Sequence, residues 1–374
     1  ALPKIFQGWC LLLKRSIFIV IAALFAAFSA RAYAVSDAPD TSAASAIVVH
    51  SGGEVIYEKN ADAQSLIAST TKLMTAIVAI ENCGLDDELE VGAESCGIEG
   101  SSMYLHLGQC VTVEDLLYGL LLVSGNDAAD ALARYTAGSI EDFAALMNEK
   151  AQNLGMTNSS FSNPHGLDAE DHYSTARDMA VLMDYCMSNE DFVRIISASS
   201  RQVGEQCYYN HNKLLWRCEG CIGGKTGYTL AAGRCLVSCC ERDGTRLICV
   251  TLSDPDDWND HCKLYDWAFS QYSDRRALSD GSLPEVPVTS GTESAAAVRP
   301  SEELSLFLPR DAELTVRYEL PRFVFAPVNM GEHAGRYEIE YNGEVIADGE
   351  LVYAADVPRI RKTYSYLHLR LELA

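Results

Sequence analysis

Strand-like segments stand at both ends of a long helical stretch, and this arrangement constrains the fold more than any other feature of the chain. Ala46-Ile47-Val48-Val49 and Val55-Ile56-Tyr57 flank Ser51-Gly52-Gly53 and read as a β-hairpin. Two further β-rich runs, Gly233 to Cys240 and Arg246 to Leu252, are separated by Asp243-Gly244, a strong hairpin signal. Between these ends the period is helical. Leu73, Ile77 and Ile80 mark a helix from about Thr70 to Asn82, with Gly84 as its stop. Val113 to Val123 is a second apolar helix, interrupted at Ser124-Gly125-Asn126 and followed by another from about Asp127 to Thr136. Ser139 with Asp142, and Thr175 with Asp178, have capping-box spacing and open two more. A last helix places Leu264, Trp267 and Ala268 inward and ends near Tyr272. A sheet made from both ends is assembled from distant segments, which defines an α/β domain of about 240 residues.

The rest of the chain is organised around that domain. Lys14 and Arg15 precede an apolar run from Ile17 to Phe28 and then Ala32-Tyr33-Ala34. This is the pattern of a secretory signal peptide over residues 1–34, cleaved after Ala34, and the run is shorter than the roughly 20 apolar residues that span a bilayer. An exported protein, working outside the cytoplasm, is expected. Residues 35–45 are small and polar and read as a tether, and residues 46–278 as the main domain. Ser279 to about Pro300 is rich in Ser, Gly, Pro and Ala and reads as a linker. In residues 301–374, the runs Glu313 to Tyr318 and Tyr337 to Tyr341 alternate as half-buried strands do. Asn342-Gly343 turns the second of them tightly into Val345, so a small all-β domain is expected. The chain ends in Leu367, Leu369, Leu371 and Leu373, again with strand alternation, and Arg359, Arg361 and Lys362 offer a peripheral contact to anionic lipid.

Charge and cysteine content narrow the function. The formal net charge is −23, and so acidic a surface repels a phosphate backbone, which excludes nucleic-acid binding. Of the thirteen cysteines, Cys10 falls in the signal segment. Cys239 and Cys240 are adjacent in a strand, so their side chains point to opposite faces. Cys218-Glu219-Gly220-Cys221, near Cys207 and His211, resembles half a zinc site, but no second Cys-x-x-Cys follows at suitable spacing. Buried thiols and a hairpin disulfide both remain open, and the pairing is undetermined.

Three short motifs carry chemistry. In Ser69-Thr70-Thr71-Lys72 the serine and lysine share one face of a helix start, so Lys72 reaches the Ser69 hydroxyl. A lysine acts as a base only where burial or a neighbouring cation lowers its pKa. Ser124-Gly125-Asn126 lies in a break between two helices, where Ser124 can pass a proton and Asn126 can bind an amide; taken alone it is an ordinary helix–turn. Lys225-Thr226-Gly227 follows Gly223-Gly224 at the start of the β-rich region, where glycine lets a substrate backbone lie alongside as an added strand. Lys225 supplies a cation that depresses Lys72 and attracts a carboxylate, and the N–H groups of Ser69 and Tyr228 form an oxyanion hole.

In this order the motifs are the signature of penicillin-binding proteins and class A β-lactamases. The chain resembles the low-molecular-mass penicillin-binding proteins, the serine D-alanyl-D-alanine carboxypeptidases, from about Ala46 to Tyr272. The likeness extends to Asn212-Lys213-Leu214-Leu215, Gly224 to Thr229 with Ala232-Gly233, His165 to Asp168, and Ser174 to Asp178. The resemblance implies a serine β-lactamase/DD-peptidase-like domain, an antiparallel sheet flanked by helices with a helical subdomain, followed by the all-β domain that holds it away from the membrane. It implies Ser69 as nucleophile, Lys72 as general base and Ser124 as proton relay. Asn126, Lys225, Thr226, Gly227, Tyr228 and Thr229 carry over as substrate-binding positions. The implied partners are peptidoglycan stem peptides and β-lactam antibiotics, with no metal or other cofactor. Two departures stand out. Where relatives carry a basic residue, often Arg, this chain reads Asp254-Pro255-Asp256-Asp257-Trp258-Asn259, with Asp257 at about that position, and no Arg lies between Arg246 and Arg275. Many relatives also end in an amphipathic anchor helix rather than an alternating run. Two other functions compete: a secreted β-lactamase, which the missing Glu in Asn163 to Asp168 opposes, and a non-catalytic penicillin-binding sensor or scaffold.

Overall fold

A computed structural model describes residues 38–278 and 283–361. The signal segment, Lys362 and the terminal leucines therefore lie outside the described residues. The chain divides into two bodies, at Ser270/Gln271.

In the first body, strands β1 (Ser45–His50) and β2 (Val55–Lys59) form the expected hairpin, and β7 (Cys221–Thr229), β8 (Gly233–Arg242) and β9 (Thr245–Leu252) form the later meander. They make one antiparallel sheet in the order β2-β1-β9-β8-β7. β1 pairs along its length with β9, Ser45 opposite Leu252 and His50 opposite Leu247, so the two ends of the domain meet as anticipated. The β8–β9 turn has positive φ at both Asp243 and Gly244, the geometry of a type I′ hairpin. Short pairs β3 (Glu88–Glu90) with β4 (Cys110–Thr112), and β5 (Ser200–Val203) with β6 (Gln206–Tyr209), lie among the helices.

The helices are α1 (Lys72–Asn82), α2 (Val113–Leu122), α3 (Asn126–Ala137), α4 (Ile140–Asn153), α5 (Ala176–Cys186), α6 (Glu190–Ile196), the short α7 (Leu214–Arg217) and α8 (Asp257–Gln271). Both capping boxes hold: Ser139 accepts from the Asp142 amide and Thr175 from the Asp178 amide. One apolar core joins Ile47 and Val49 of the sheet to Ile77 of α1, Leu120 of α2, Leu132 of α3 and Met179 of α5. The tether differs from expectation. Thr41 and Ala43 are buried, and the Ser42 hydroxyl is 2.6 Å from Asp254 and 2.9 Å from Asp260. Short polar side chains there find buried carboxylates to bond rather than solvent.

The second body holds β10 (Tyr272–Arg276), β11 (Glu285–Thr289), β12 (Ala295–Pro300), β13 (Ser305–Pro309), β14 (Leu314–Glu319), β15 (Val324–Phe325), β16 (His333–Tyr341) and β17 (Glu344–Tyr353). Six of them form one sheet, β14-β16-β17-β12-β11-β15, with its own core of Val286, Val298, Ile339 and Leu351; β10 pairs with β13. Two expected boundaries are thereby corrected. Residues 272–276 pair with β13 and belong to this body rather than to the main domain. The stretch read as a linker supplies β11 and β12, because Val286 and Ala296 with Val298 bury one face of each strand despite the Ser, Gly and Pro around them.

Candidate active site

Ser69 is not in the first turn of an α-helix as the spacing suggested. A 3₁₀ turn spans Ala68–Thr71 and α1 begins at Lys72. In 3₁₀ geometry residues three apart eclipse one another, so the separation of Ser69 and Lys72 brings their side chains together directly. Lys72 is fully buried, and its Nζ reaches Ser69 Oγ at 2.8 Å, Asn126 Oδ1 at 2.7 Å and the His165 carbonyl at 2.6 Å. Burial, and after it the Lys225 charge, holds Lys72 well below the usual lysine range, against an upward pull from Asp127. Nζ donates to all three oxygens, and a lysine whose pKa is lowered in this way can give up a proton and leave a lone pair facing the Ser69 hydroxyl.

The break between α2 and α3 presents the second group. Ser124 has φ of +63° and is buried, and Asn126 opens α3. Lys225, on β7, donates to Ser124 Oγ at 3.0 Å and to the Thr226 carbonyl at 2.8 Å, and burial pushes its pKa down to about 7. Two lysine side chains and two hydroxyls from three distant segments are thus brought to one place. β7 is an edge of the sheet. A Cβ on Gly227 would stand 3.0 Å from both the Ser69 nitrogen and the Ile67 carbonyl, so only glycine lets this edge lie so close to the turn bearing Ser69. Tyr228 is exposed beyond it. The Thr229 hydroxyl is engaged elsewhere, donating to Asp168 at 2.9 Å and accepting from the Ala232 amide at 2.9 Å.

Three contributors escaped sequence reasoning. The His165 carbonyl accepts from both Ser69 and Lys72, and a backbone atom leaves no residue signature. Gly166 has φ of +87°, and a Cβ there would lie 2.0 Å from the Ala68 carbonyl, so no other residue fits between loop and turn. Asp127 accepts from the amides of Met103 and Leu105 and from the Ser102 hydroxyl, pinning that loop beside Asn126. Burial, with Lys72 next, lowers His165 to about 4, which keeps its ring neutral. Asp257 is not free to disturb a ligand: it is buried at the start of α8 and pairs with Arg234 at 2.6 Å. Among the described residues no group of His, Cys, Asp and Glu is placed to hold a metal ion.

A serine 2.8 Å from a buried lysine, beside the edge strand of an antiparallel sheet with helices, is the arrangement of the serine acyl-transferring peptidases. Residues 32–256 match the D-alanyl-D-alanine carboxypeptidase family and residues 272–359 match the C-terminal domain of penicillin-binding protein 5. The chain belongs to this family of low-molecular-mass penicillin-binding proteins, and it is a serine D-alanyl-D-alanine carboxypeptidase, a hydrolase. It is 30% identical to D-alanyl-D-alanine carboxypeptidase DacF of Bacillus subtilis over 91% of this chain and 94% of that one. Against DacC of Escherichia coli the identity is 34%, over 89% of each. The crystal structure of penicillin-binding protein 5 from Haemophilus influenzae superposes with a TM-score of 0.68 at 28% identity, covering 87% of this chain and all of that one. Penicillin-binding protein 6B from Escherichia coli gives 0.70 at 26%, covering 86% and 98%.

Proposed function

We propose that this carboxypeptidase is exported, removes the terminal D-alanine from peptidoglycan stem pentapeptides through a Ser69 acyl-enzyme, and is acylated there by β-lactams. The observation that carries the reading is the 2.8 Å contact between Lys72 Nζ and Ser69 Oγ, with a second lysine 3.0 Å from Ser124. Lys72 takes the Ser69 proton as Oγ attacks the penultimate D-Ala carbonyl. The negative oxygen that develops lies between the amides of Ser69 and Tyr228. The proton returns through Ser124 to the leaving amine, and D-alanine departs. Water then attacks the ester, again with Lys72 as base, and Ser69 is regenerated. Asn126 holds the substrate amide, Lys225 and Thr226 hold the terminal carboxylate, and the backbone at Gly227 and Tyr228 pairs with the peptide as an added strand. Thr229 orders the turn beside that strand and supports the carboxylate site from there.

Export rests on the basic, apolar and small-residue segments of residues 1–34, which lie outside the described residues. Among the described residues no helix is long and apolar enough to cross a membrane. Arg359 and Arg361 are exposed and available for a peripheral lipid contact.

The deciding assay is D-alanine release from a peptide ending in D-Ala-D-Ala. Release is expected from the parent and is expected to vanish in Ser69→Ala, with a penicillin adduct of long lifetime on the parent alone. Residual release in Ser69→Ala would overturn the assignment of the nucleophile, and rapid loss of the adduct would favour a β-lactamase.

A further inference from the structure

Away from the site, four sulfurs from four segments meet. Cys218 caps α7, Cys221 opens β7, Cys240 lies near the end of β8, and Cys262 is in the second turn of α8. The Cys218 and Cys240 sulfurs are 3.9 Å apart. Cys262 neighbours Cys218, and Cys240 neighbours Cys221. The contacts therefore run in one line: Cys262, Cys218, Cys240, Cys221. In the antiparallel register Cys221 is directly opposite Cys240, which sets their Cα atoms about 4.5–5.5 Å apart, inside the range that disulfides span. All four are free thiols here.

A line of four thiols has only one pairing that leaves none alone. We propose that Cys218 with Cys262, and Cys221 with Cys240, form a two-disulfide clasp that closes by thiol–disulfide exchange with an external disulfide, either a low-molecular-mass compound or another protein. Each pair joins a partly exposed sulfur, Cys262 or Cys221, to a buried one, Cys218 or Cys240. The more exposed sulfur gives up its proton as it attacks the external S–S bond, forming a mixed disulfide and releasing one reagent thiol. The buried partner then attacks the protein sulfur of that mixed disulfide and releases the second. Each bond closed takes two electrons and two protons from the protein and reduces one external disulfide to two thiols. Hydrogen bonds from Cys240 and Cys262, together with the Arg242 charge, lower Cys218, so a thiolate is present to resolve the Cys262 adduct; Cys240, raised by burial, gives up its proton as it attacks. The closed clasp ties the start of the strand bearing Lys225 to β8, and the loop before that strand to α8.

The test uses the full folded chain with oxidised glutathione, followed by acid quenching, alkylation and mass mapping. Cleavage after Glu219 separates Cys218 from Cys221. The expected result is a loss of about 4 Da from the cluster, with Cys218 linked to Cys262 and Cys221 linked to Cys240. Exposed Cys110 and Cys207 report ordinary mixed adducts. In Cys262→Ser the Cys221–Cys240 link should persist while the other is lost. A Cys218–Cys240 link, glutathione adducts without internal bonds, or a zinc ion retained by the four sulfurs in native mass spectra would each overturn the proposal.

Discussion

Two lysines buried within one site set the energetics at the level of single residues. In the unfolded chain a lysine titrates near 10.4, whereas burial brings Lys225 to about 7 when folded. Between those values the unfolded state binds more protons, so this residue's contribution to stability rises with pH; below about 7 the whole cost of burying the charge applies. Lys225→Met is therefore expected to be more stable than the parent, with the gap widest near pH 6 and narrowing toward pH 10 in urea melts. A gap independent of pH would mean that the ammonium is not buried as described. The proposed mechanism needs neutral Lys72 and protonated Lys225, so kcat/KM should fall on the alkaline side as Lys225 loses its proton. Lys225→Arg should remove that limb while lowering the rate, since a guanidinium stays charged. At Arg234 the logic is that of a single pair: Arg234→Ala leaves Asp257 buried without its cation, a loss of about 1–3 kcal/mol measured by chemical denaturation.

At the scale of elements, the geometry depends on an unpaired strand edge held against a turn. Gly227→Ala puts a methyl carbon 3.0 Å from the Ser69 nitrogen. It is expected to lower kcat/KM at least about tenfold, roughly 1.4 kcal/mol of transition-state stabilisation, with the melting temperature little changed. An unchanged kcat/KM would show that the edge does not need so close an approach. Asp127→Ala frees the amides of Met103 and Leu105, and the expected outcome is a higher KM from a loosened loop. The helices and hairpins were legible in the chain because each is marked within a few residues, as at Thr175 with Asp178 or Asp243-Gly244. So were the candidate residues of the three motifs, whose spacing is local. What stayed hidden depends on partners far along the chain. The His165 carbonyl has no residue signature, Asp127 caps a loop some 22–24 residues before it, and Cys262 joins Cys218 only because α8 packs on the sheet. The strands β11 and β12 were masked by turn-forming residues between short alternating runs.

Seen as a whole molecule, the chain is two bodies with separate cores, and all the candidate residues lie in the first. A chain ending at Gln271 is thus expected to release D-alanine from soluble peptides with kcat/KM within about threefold of the full chain, as independent cores allow. A drop far beyond that would show that the second body shapes the site. The pairing of β1 with β9 reaches further than architecture. Residues 45–50 have no sheet partner on their inner side until residues 245–252 have been made, a wait of about 10–40 s at about 5–20 residues per second. Such non-local pairing folds slowly, so the ribosome hands over a chain whose central sheet is still open. The proposed export requires a chain still unfolded in a narrow translocation channel, and this topology delays closure of the sheet until residues 245–252 have been made.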